Sequence, residues 1–326
     1  MQSTQHQFKG RFITILGAGY LGTRLAGHAI ALGMHVSTVT RNPEKSAGLK
    51  SIGVRNPITA QLHETGWHDQ LPVEQDFVVN CVSSAGGGID GYRISYLEGN
   101  RSIQQWAGKD HPGTFLYTGS TSVFPQTDGS LVNEDSSTEG APESGRVLLE
   151  AENLIRRNSP FAQSYILRLG GLYGPGRHYL LDLLRKGCEE LPGRGDFLIN
   201  LLHIDDACSA IWAALGAKVQ PGENTKRANV EIFNVTDGNP ATKAEIVEWI
   251  AEQVGGPPPR FNPDAQGHRN PIRRKDGHLP NRHVDNHKIR ETLDWIPAYP
   301  TYRDGYQDLL ATQPYVRLSR LTIRSV

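Results

Sequence analysis

One short segment restricts the fold of this chain more than any other. Phe12–Leu16 (FITIL) runs directly into Gly17-Ala18-Gly19-Tyr20-Leu21-Gly22, a G-x-G-x-x-G run. An apolar run of that length ending in glycine reads as a buried parallel strand. Behind it, Leu21, Leu25, Ala29 and Leu32 recur at near-helical spacing until Gly33 stops them. The glycine pattern alone is a weak signal, but between a strand and a helix it acquires a mechanism. The first glycine makes a tight turn, the second lets backbone approach a pyrophosphate, and the third lets helix pack on strand. Backbone amides and the helix dipole then hold the phosphates. The competing account is a glycine-rich turn with no ligand.

The rest of the first half repeats the alternation. His35–Thr40 (HVSTVT), Phe77–Cys81 (FVVNC), Phe115–Thr118 (FLYT) and Ser164–Leu169 (SYILRL) read as strands. Between them, helices are expected from Pro43, from Asp90 to Ala107, and over Gly145–Asn158, where Val147, Leu148, Ala151, Leu154 and Ile155 share a face. Strands alternating with helices imply parallel βαβ units with helices on both faces. The fold class is therefore α/β, a Rossmann-type doubly wound parallel sheet of six or more strands over residues 11–175, with Phe12–Leu16 inside it.

The second half is less regular. A helix is expected over Tyr179–Cys188, another over Asp205–Ala217 capped by an acidic residue, and a third from Thr242, where Glu245 completes a capping box. Val230–Val235 (VEIFNV) reads as a strand that rejoins the sheet. Residues 176–200 and 236–310 are assigned to a smaller C-terminal substrate domain, 201–235 to the dinucleotide-binding domain, and 311–326 to a tail. Residues 255–285, rich in Pro, Gly and Arg, form a loop of the smaller domain.

Composition excludes several classes. Lys and Arg number 34 and Asp and Glu number 34, so there is no basic excess for nucleic acid or an anionic membrane. No apolar stretch approaches the ~18 residues that cross a bilayer, and the N-terminus MQSTQHQFKGRF has no apolar core of a secretion signal. Cys81, Cys188 and Cys208 are odd in number and far apart, neither a disulfide framework nor a metal clip, which suits a reducing cytoplasm.

The end of the second strand bears on the cofactor. An acidic residue about 20 positions past the glycines would bind a ribose 2′-hydroxyl and select NAD. Here the sequence is Thr40-Arg41-Asn42-Pro43, and Arg41, 19 residues beyond Gly22, suits a 2′-phosphate instead. NADP(H) is expected, with NAD second. The plainer reading makes Arg41 a solvated loop residue.

Further motifs carry a resemblance. Tyr117–Phe124 (YTGSTSVF), Arg168–Gly176 (RLGGLYGPG), Leu202–Asp206 (LHIDD), Phe233-Asn234-Val235 and Asn286–Trp295 followed by Pro297 occur in the order seen in extended short-chain dehydrogenases/reductases, the group of nucleotide-sugar epimerases and dehydratases. The resemblance spans about residues 11 to 310. It implies a cofactor cradle of Gly17, Gly19, Tyr20, Leu21, Gly22, Arg41, Cys81 and Val82, a small-molecule substrate, and room for a homodimer. Ser120 takes the position of that family's catalytic Ser/Thr, and Asn100 that of its helix asparagine.

The departure is as informative. The family's Y-x-x-x-K pair falls, by the downstream Glu150-Ala151-Glu152, on Ser144 and Leu148. A lysine is needed there to lower the tyrosine pKa, and a serine with leucine four residues on cannot substitute. The chain thus resembles the atypical subgroup that keeps the glycine motif and lacks the pair. Ser120, Tyr92 and Tyr96 are the candidates for the missing chemistry, against a plainer account of the two tyrosines as core-edge residues. Cys81 is equally readable as a small apolar residue. His283 and His287, four apart on a possible helix, lack a third ligand and are read as surface, so no metal is expected. The basic run Arg269, Arg273, Arg274 and Lys275 reads as a solvated loop, or as a clamp for an anionic substrate. An NADP(H)-dependent oxidoreductase or epimerase-like enzyme is expected, with a cofactor-binding sensor or an interaction subunit as alternatives.

Overall fold

The computed structural model describes residues 6–84, 86–109, 111–217, 229–265 and 279–312. Seven parallel strands form one sheet: β1 (Phe12–Leu16), β2 (His35–Thr40), β3 (Asn56–Thr59), β4 (Phe77–Asn80), β5 (His111–Ser120), β6 (Phe161–Leu169) and β7 (Asn229–Val235), in the order β7-β6-β5-β4-β1-β2-β3. The first strand lies in the interior, paired with β2 on one side and β4 on the other. Strand order reverses between β1 and β4, and ligands of open α/β sheets bind beyond the carboxyl ends of strands at such a switch point.

Both faces of the sheet are covered, which explains why β1 and β4 read as unbroken apolar runs. On one face Ile13, Ile15, Val36, Val79 and Phe233 pack with Leu25 and Ala29 of α1 (Tyr20–Ala31) and Ala207 and Ile211 of a later helix, Ile204–Gly216. On the other, Leu16, Val39, Val78, Phe115, Tyr117 and Ile166 meet Ile103, Ala151 and Ile155. Those three come from two helices. One is α3, which begins at Gly88–Tyr92, passes through a π-helical stretch Arg93–Glu98 and ends as Gly99–Ala107; the other is α4 (Glu143–Asn158). Helix α2 (Pro43–Ser51) lies between β2 and β3.

The second half adds α5 (Tyr179–Arg185), α6 (Ile204–Gly216), α7 (Lys243–Gln253), α8 (His287–Leu293) and α9 (Tyr302–Thr312). Leu181 and Leu184 of α5, Ile246 and Ile250 of α7, and Tyr302, Tyr306 and Leu309 of α9 close a separate apolar cluster around Tyr173.

Several details differ from the sequence reading. Asn56–Thr59 (NPIT) is a strand that periodicity misses, being short and interrupted by Pro57; it is the sheet's edge, where proline is tolerated. The cap of α6 is His203, whose Nδ1 accepts from the Asp205 amide at 3.3 Å, not an acidic side chain. Asp205 is instead taken by Arg24 in a bidentate pair at 2.7 and 3.0 Å. His283 lies in the short strand His283–Val284 and His287 opens α8, so the two do not share a helix face. The basic run 269–275 lies outside the described residues.

Candidate functional site

A cleft of about 760 Å³ opens at the carboxyl edge of the sheet. Its floor is the glycine turn, and its walls come from the ends of β2, β4, β5 and β6, from α3, and from the segment after β6.

The three glycines have distinct jobs. Gly17 has φ +86°, and a Cβ there would sit 2.6 Å from the Val82 amide nitrogen. A Cβ on Gly22 would sit 2.5 Å from the Gly17 carbonyl, so that glycine sets the approach of α1 to the turn. Gly19 is different, because the nearest atom to its Cβ would be 4.0 Å away. The protein leaves that space open to the cleft. No side chain caps α1 and no acid lies in its first turn, whereas α7 carries a complete capping box of Thr242 and Glu245. The amino end of α1 therefore presents unclaimed backbone donors and positive partial charge.

Gly17, Gly19, Tyr20, Leu21, Arg41, Cys81, Val82, Tyr96 and Ser120 all line the cleft. Gly22 lies behind the turn, and Tyr92 does not reach the lining; it packs beside Val123, Phe124 and Leu148. Arg41 is exposed at the end of β2, next to Asn42, whose Oδ1 caps α2 by accepting from the Lys45 amide at 3.0 Å. Burial pushes the Cys81 thiol far above the ordinary thiol range, so it stays protonated and acts as a small apolar wall.

Ser120 ends β5, and its Oγ accepts from the Ser122 amide at 3.2 Å, which leaves its own proton to give elsewhere. Tyr96 comes from the π-helical stretch of α3, a distortion frequent at functional sites. The Tyr96 hydroxyl accepts from the Ser84 amide at 3.0 Å, and its ring stands edge-on to Tyr117. Asn100 holds this turn: it donates to the Tyr96 carbonyl at 2.7 Å and accepts from Asn80 at 2.9 Å.

The head of α4 offers nothing comparable. Ser144 is 5% exposed, and Leu148 is 1% exposed in a cluster with Val123, Phe124, Val132 and Val284. One helical turn further on, Glu152 makes a buried bidentate pair with Arg168 at 3.0 and 2.7 Å.

Sequence reading missed part of the wall. Arg177, Tyr179, Phe197, Lys243 and Tyr306 line the cleft without belonging to any motif named above. Arg177 and Tyr179 directly follow the YGPG segment, which was the available signal. The Arg177 guanidinium stands 5.5 Å over the Tyr20 ring, and burial lifts the Tyr20 hydroxyl to about 12. The cations on the lining are Arg41, Lys45, Arg177 and Lys243, and no Asp or Glu is among the described lining residues. Among the described residues no group of three or more His, Cys, Asp or Glu could hold a metal, and no helix is long and apolar enough to cross a membrane.

Comparison with known proteins sets this site in context. Residues 13–235 match the family model described as NAD dependent epimerase/dehydratase. The 3-diazoavenalumate denitrifying reductase of a Streptomyces species is 32% identical over 166 residues, 49% of this chain and 51% of that protein. The match thus spans about half the length of that relative. Protein YeeZ of Escherichia coli (strain K12) is 25% identical over 292 residues, 88% of this chain and 96% of YeeZ. The UDP-glucuronic acid 4-epimerase of Bacillus cereus, solved with UDP-glucuronic acid and NAD, aligns at a TM-score of 0.70 and 19% identity over 90% of this chain and 96% of that one. At that identity the likeness is one of fold.

Proposed function

The chain belongs to the NAD dependent epimerase/dehydratase family, and from that premise we infer that its cleft holds a nicotinamide dinucleotide, NADP(H) before NAD(H), for redox chemistry on a small molecule. The observation that carries this is the turn at Gly19: open space over an uncapped helix end, in the place where a pyrophosphate binds.

The residues present fit such a group. Gly17, Gly19, Tyr20 and Leu21 would hold the pyrophosphate, with Arg177 as a nearby counter-charge. Arg41, with Asn42 and Lys45, would hold the adenosine ribose, and a charged 2′-phosphate suits two cations on a lining that has no Asp or Glu among its described residues. Cys81 and Val82 would form a side wall. Bound there, the dinucleotide supplies a hydride donor or acceptor. The chain's own part is then to hold a substrate oxygen and move a proton. Ser120 is the group for the first task and Tyr96 for the second: the Ser120 oxygen accepts from the Ser122 amide and the Tyr96 oxygen from the Ser84 amide, which fixes both hydroxyls at the cleft. Tyr20 is unsuited as a base near neutral pH, since its hydroxyl titrates at about 12.

On this reading residues 11–175 and 201–235 hold the cofactor, and 176–200 with 236–310 face the substrate. The relatives support two substrate kinds, a reducible compound as in the Streptomyces reductase and a nucleotide sugar as in the Bacillus cereus epimerase. One observation favours a second reading: with Leu148 sealed in the core, the protein could keep the cradle as a sensor of the cofactor's redox state. Titrating the protein with NADPH and NADH by fluorescence, alongside a turnover screen of carbonyl compounds and nucleotide sugars, separates these. NADPH is expected to bind more tightly; equal dissociation constants would contradict the cofactor assignment, and tight binding without any turnover would favour the sensor.

A further inference from the structure

The wall of the cleft beyond Ser120 is built from segments that follow β6, and most of it is apolar: Leu172, Tyr179, Leu180, Phe197, Ile199 and Leu201. None of these six side chains is buried, and Tyr179 keeps 37% of its surface exposed. Apolar side chains gathered on a concave wall and left accessible mark a surface that a ligand covers. No Asn, Gln, Asp or Glu stands among the described lining residues on this side, since Asn42 and Gln61 lie beyond the ends of β2 and β3.

The polar groups of this wall are engaged elsewhere. Gly171–Tyr173 and Leu201–His203 pair as parallel strands, Leu198–Ile199 pairs with Ala241–Thr242, and the Gly170 amide donates to the Val235 carbonyl at 2.9 Å. The Tyr173 hydroxyl is buried against Gly305 of α9. Two cations line this half of the cleft, Arg177 and Lys243. The Arg177 guanidinium stands 5.5 Å over the ring of Tyr20, the residue after Gly19, which puts its charge at the pyrophosphate end. The Lys243 Nζ donates to the Pro192 carbonyl at 3.0 Å and lies 5.0 Å from the Phe261 ring, and neither of those residues lines the cleft. These contacts draw both charges off the apolar wall.

A glycosyl ring brings several hydroxyl groups, and each needs a partner when buried. An aromatic body needs only apolar and ring surface, and one carbonyl oxygen needs one donor. Ser120 is that donor: it pairs with Leu169, whose chain runs directly on into this wall. Size points the same way. The cleft is about 760 Å³ with the dinucleotide's share included, and a single drug-sized ligand already takes about 300 to 1,000 Å³. A second nucleotide finds no room.

Resting on the dinucleotide reading above, we propose that this compartment binds a compact, uncharged aromatic carbonyl compound, with its oxygen at Ser120 and its ring against Tyr179 and Phe197. The probes are benzylacetone, an uncharged ketone; hydrocinnamate, similar in shape but anionic; and UDP-glucose. Each is titrated by calorimetry into protein saturated with NADP⁺, which cannot reduce a ketone, so binding is measured without turnover. Benzylacetone is expected to bind at least about tenfold more tightly than hydrocinnamate, because the wall leaves a carboxylate without a partner. UDP-glucose is expected not to displace it. Tyr179→Ala removes an exposed ring and leaves the core intact, and it should weaken benzylacetone by about tenfold. The NADP⁺ titration of the unmodified protein comes first and keeps the two readings apart. If NADP⁺ does not bind, the cofactor reading falls and takes this one with it. If NADP⁺ binds while benzylacetone fails to bind, binds no better than hydrocinnamate, ignores Tyr179→Ala, or is displaced by UDP-glucose, only the substrate class is overturned.

Discussion

The amino ends of α1 and α4 both lie near the carboxyl edge of the sheet, yet the chain treats them in opposite ways. At α1 it removes side chains: Gly17, Gly19 and Gly22 clear the turn, no residue caps the helix, and no acid shields it. At α4 it adds them: Leu148 fills an apolar cluster, Ser144 is buried, and a Cβ on Gly145 would meet the Ser122 carbonyl at 2.9 Å. One end is left open and the other is closed with protein. The lesson is that the two helix ends are separable parts of this fold: the glycine turn stays clear while the head of α4 is filled with apolar side chains.

The largest effects test the open end. Gly19→Val puts a side chain into space the protein leaves empty, so the fold should survive while binding is lost. NADPH affinity is expected to drop by about 100-fold or more, with a melting temperature within a few degrees of the parent. Gly17→Val differs, because its Cβ would meet the Val82 amide and the residue would be forced to φ +86°. It should lose both binding and stability. If the two variants behaved alike, with Gly19→Val also unfolding, the open space at Gly19 would not be a ligand site.

The closed end is tested by turnover. Ser144→Ala removes a buried hydroxyl that has no part in the proposed proton transfer, and activity should change only mildly. Ser120→Ala and Tyr96→Phe remove the groups proposed to hold oxygen and proton, and losses within the ~10²–10⁴-fold range of general acid–base catalysis are expected. If Ser144→Ala abolished turnover while Ser120→Ala and Tyr96→Phe were harmless, the contrast between the two helix ends would be reversed.

The same contrast explains what was legible in the sequence. The glycine turn, β1, β2, β4 and both flanking helices could be read directly, because local patterns of glycine and apolar residues determine them. Ser120 and Arg41 could be placed because each ends a strand, and strand ends in a parallel sheet converge on one edge. Lys243 and Tyr306 were invisible for the opposite reason. They reach the cleft from α7 and from α9, and only the packing of those helices around Tyr173 brings them together. The π-helical stretch that aims Tyr96 leaves no clear sequence mark either, since Arg93–Glu98 (RISYLE) reads as ordinary helix. His203 as a cap was missed because the more familiar acidic caps lie directly behind it at Asp205 and Asp206.

A smaller effect sharpens the cofactor end. Arg41→Asp replaces the charge at the end of β2 with the one that suits a bare ribose. The preference for NADPH over NADH should fall by about 1–3 kcal/mol, the worth of a charge-assisted contact. The measurement is the ratio of the two dissociation constants in each protein, and an unchanged ratio would remove Arg41 from the site.

The last effect concerns the acidic residues behind Tyr173, and it is one of pH. Asp237 follows β7 and is 4% exposed. Burial lifts its carboxyl to about 8, the nearby Asp206 and Asp304 add to the rise, and the Asn239 amide that it accepts works against it. In the unfolded chain the same group titrates near ~3.9. Between those values the folded state holds a proton that the unfolded state has released, so stability falls as pH rises through this window. For one group the slope cannot exceed about 1.4 kcal/mol per pH unit. Asp237→Asn keeps an oxygen for the Asn239 amide and removes the titration. The stability difference between this variant and its parent should therefore widen in the variant's favour from pH 5 to pH 8, measured by urea unfolding at each pH. Arg41→Asp, at the other end of the cleft, should show no such divergence. If the Asp237→Asn difference stayed flat across the window, the carboxyl would be ionised in the folded protein and the region behind Tyr173 would be wetter than its packing indicates.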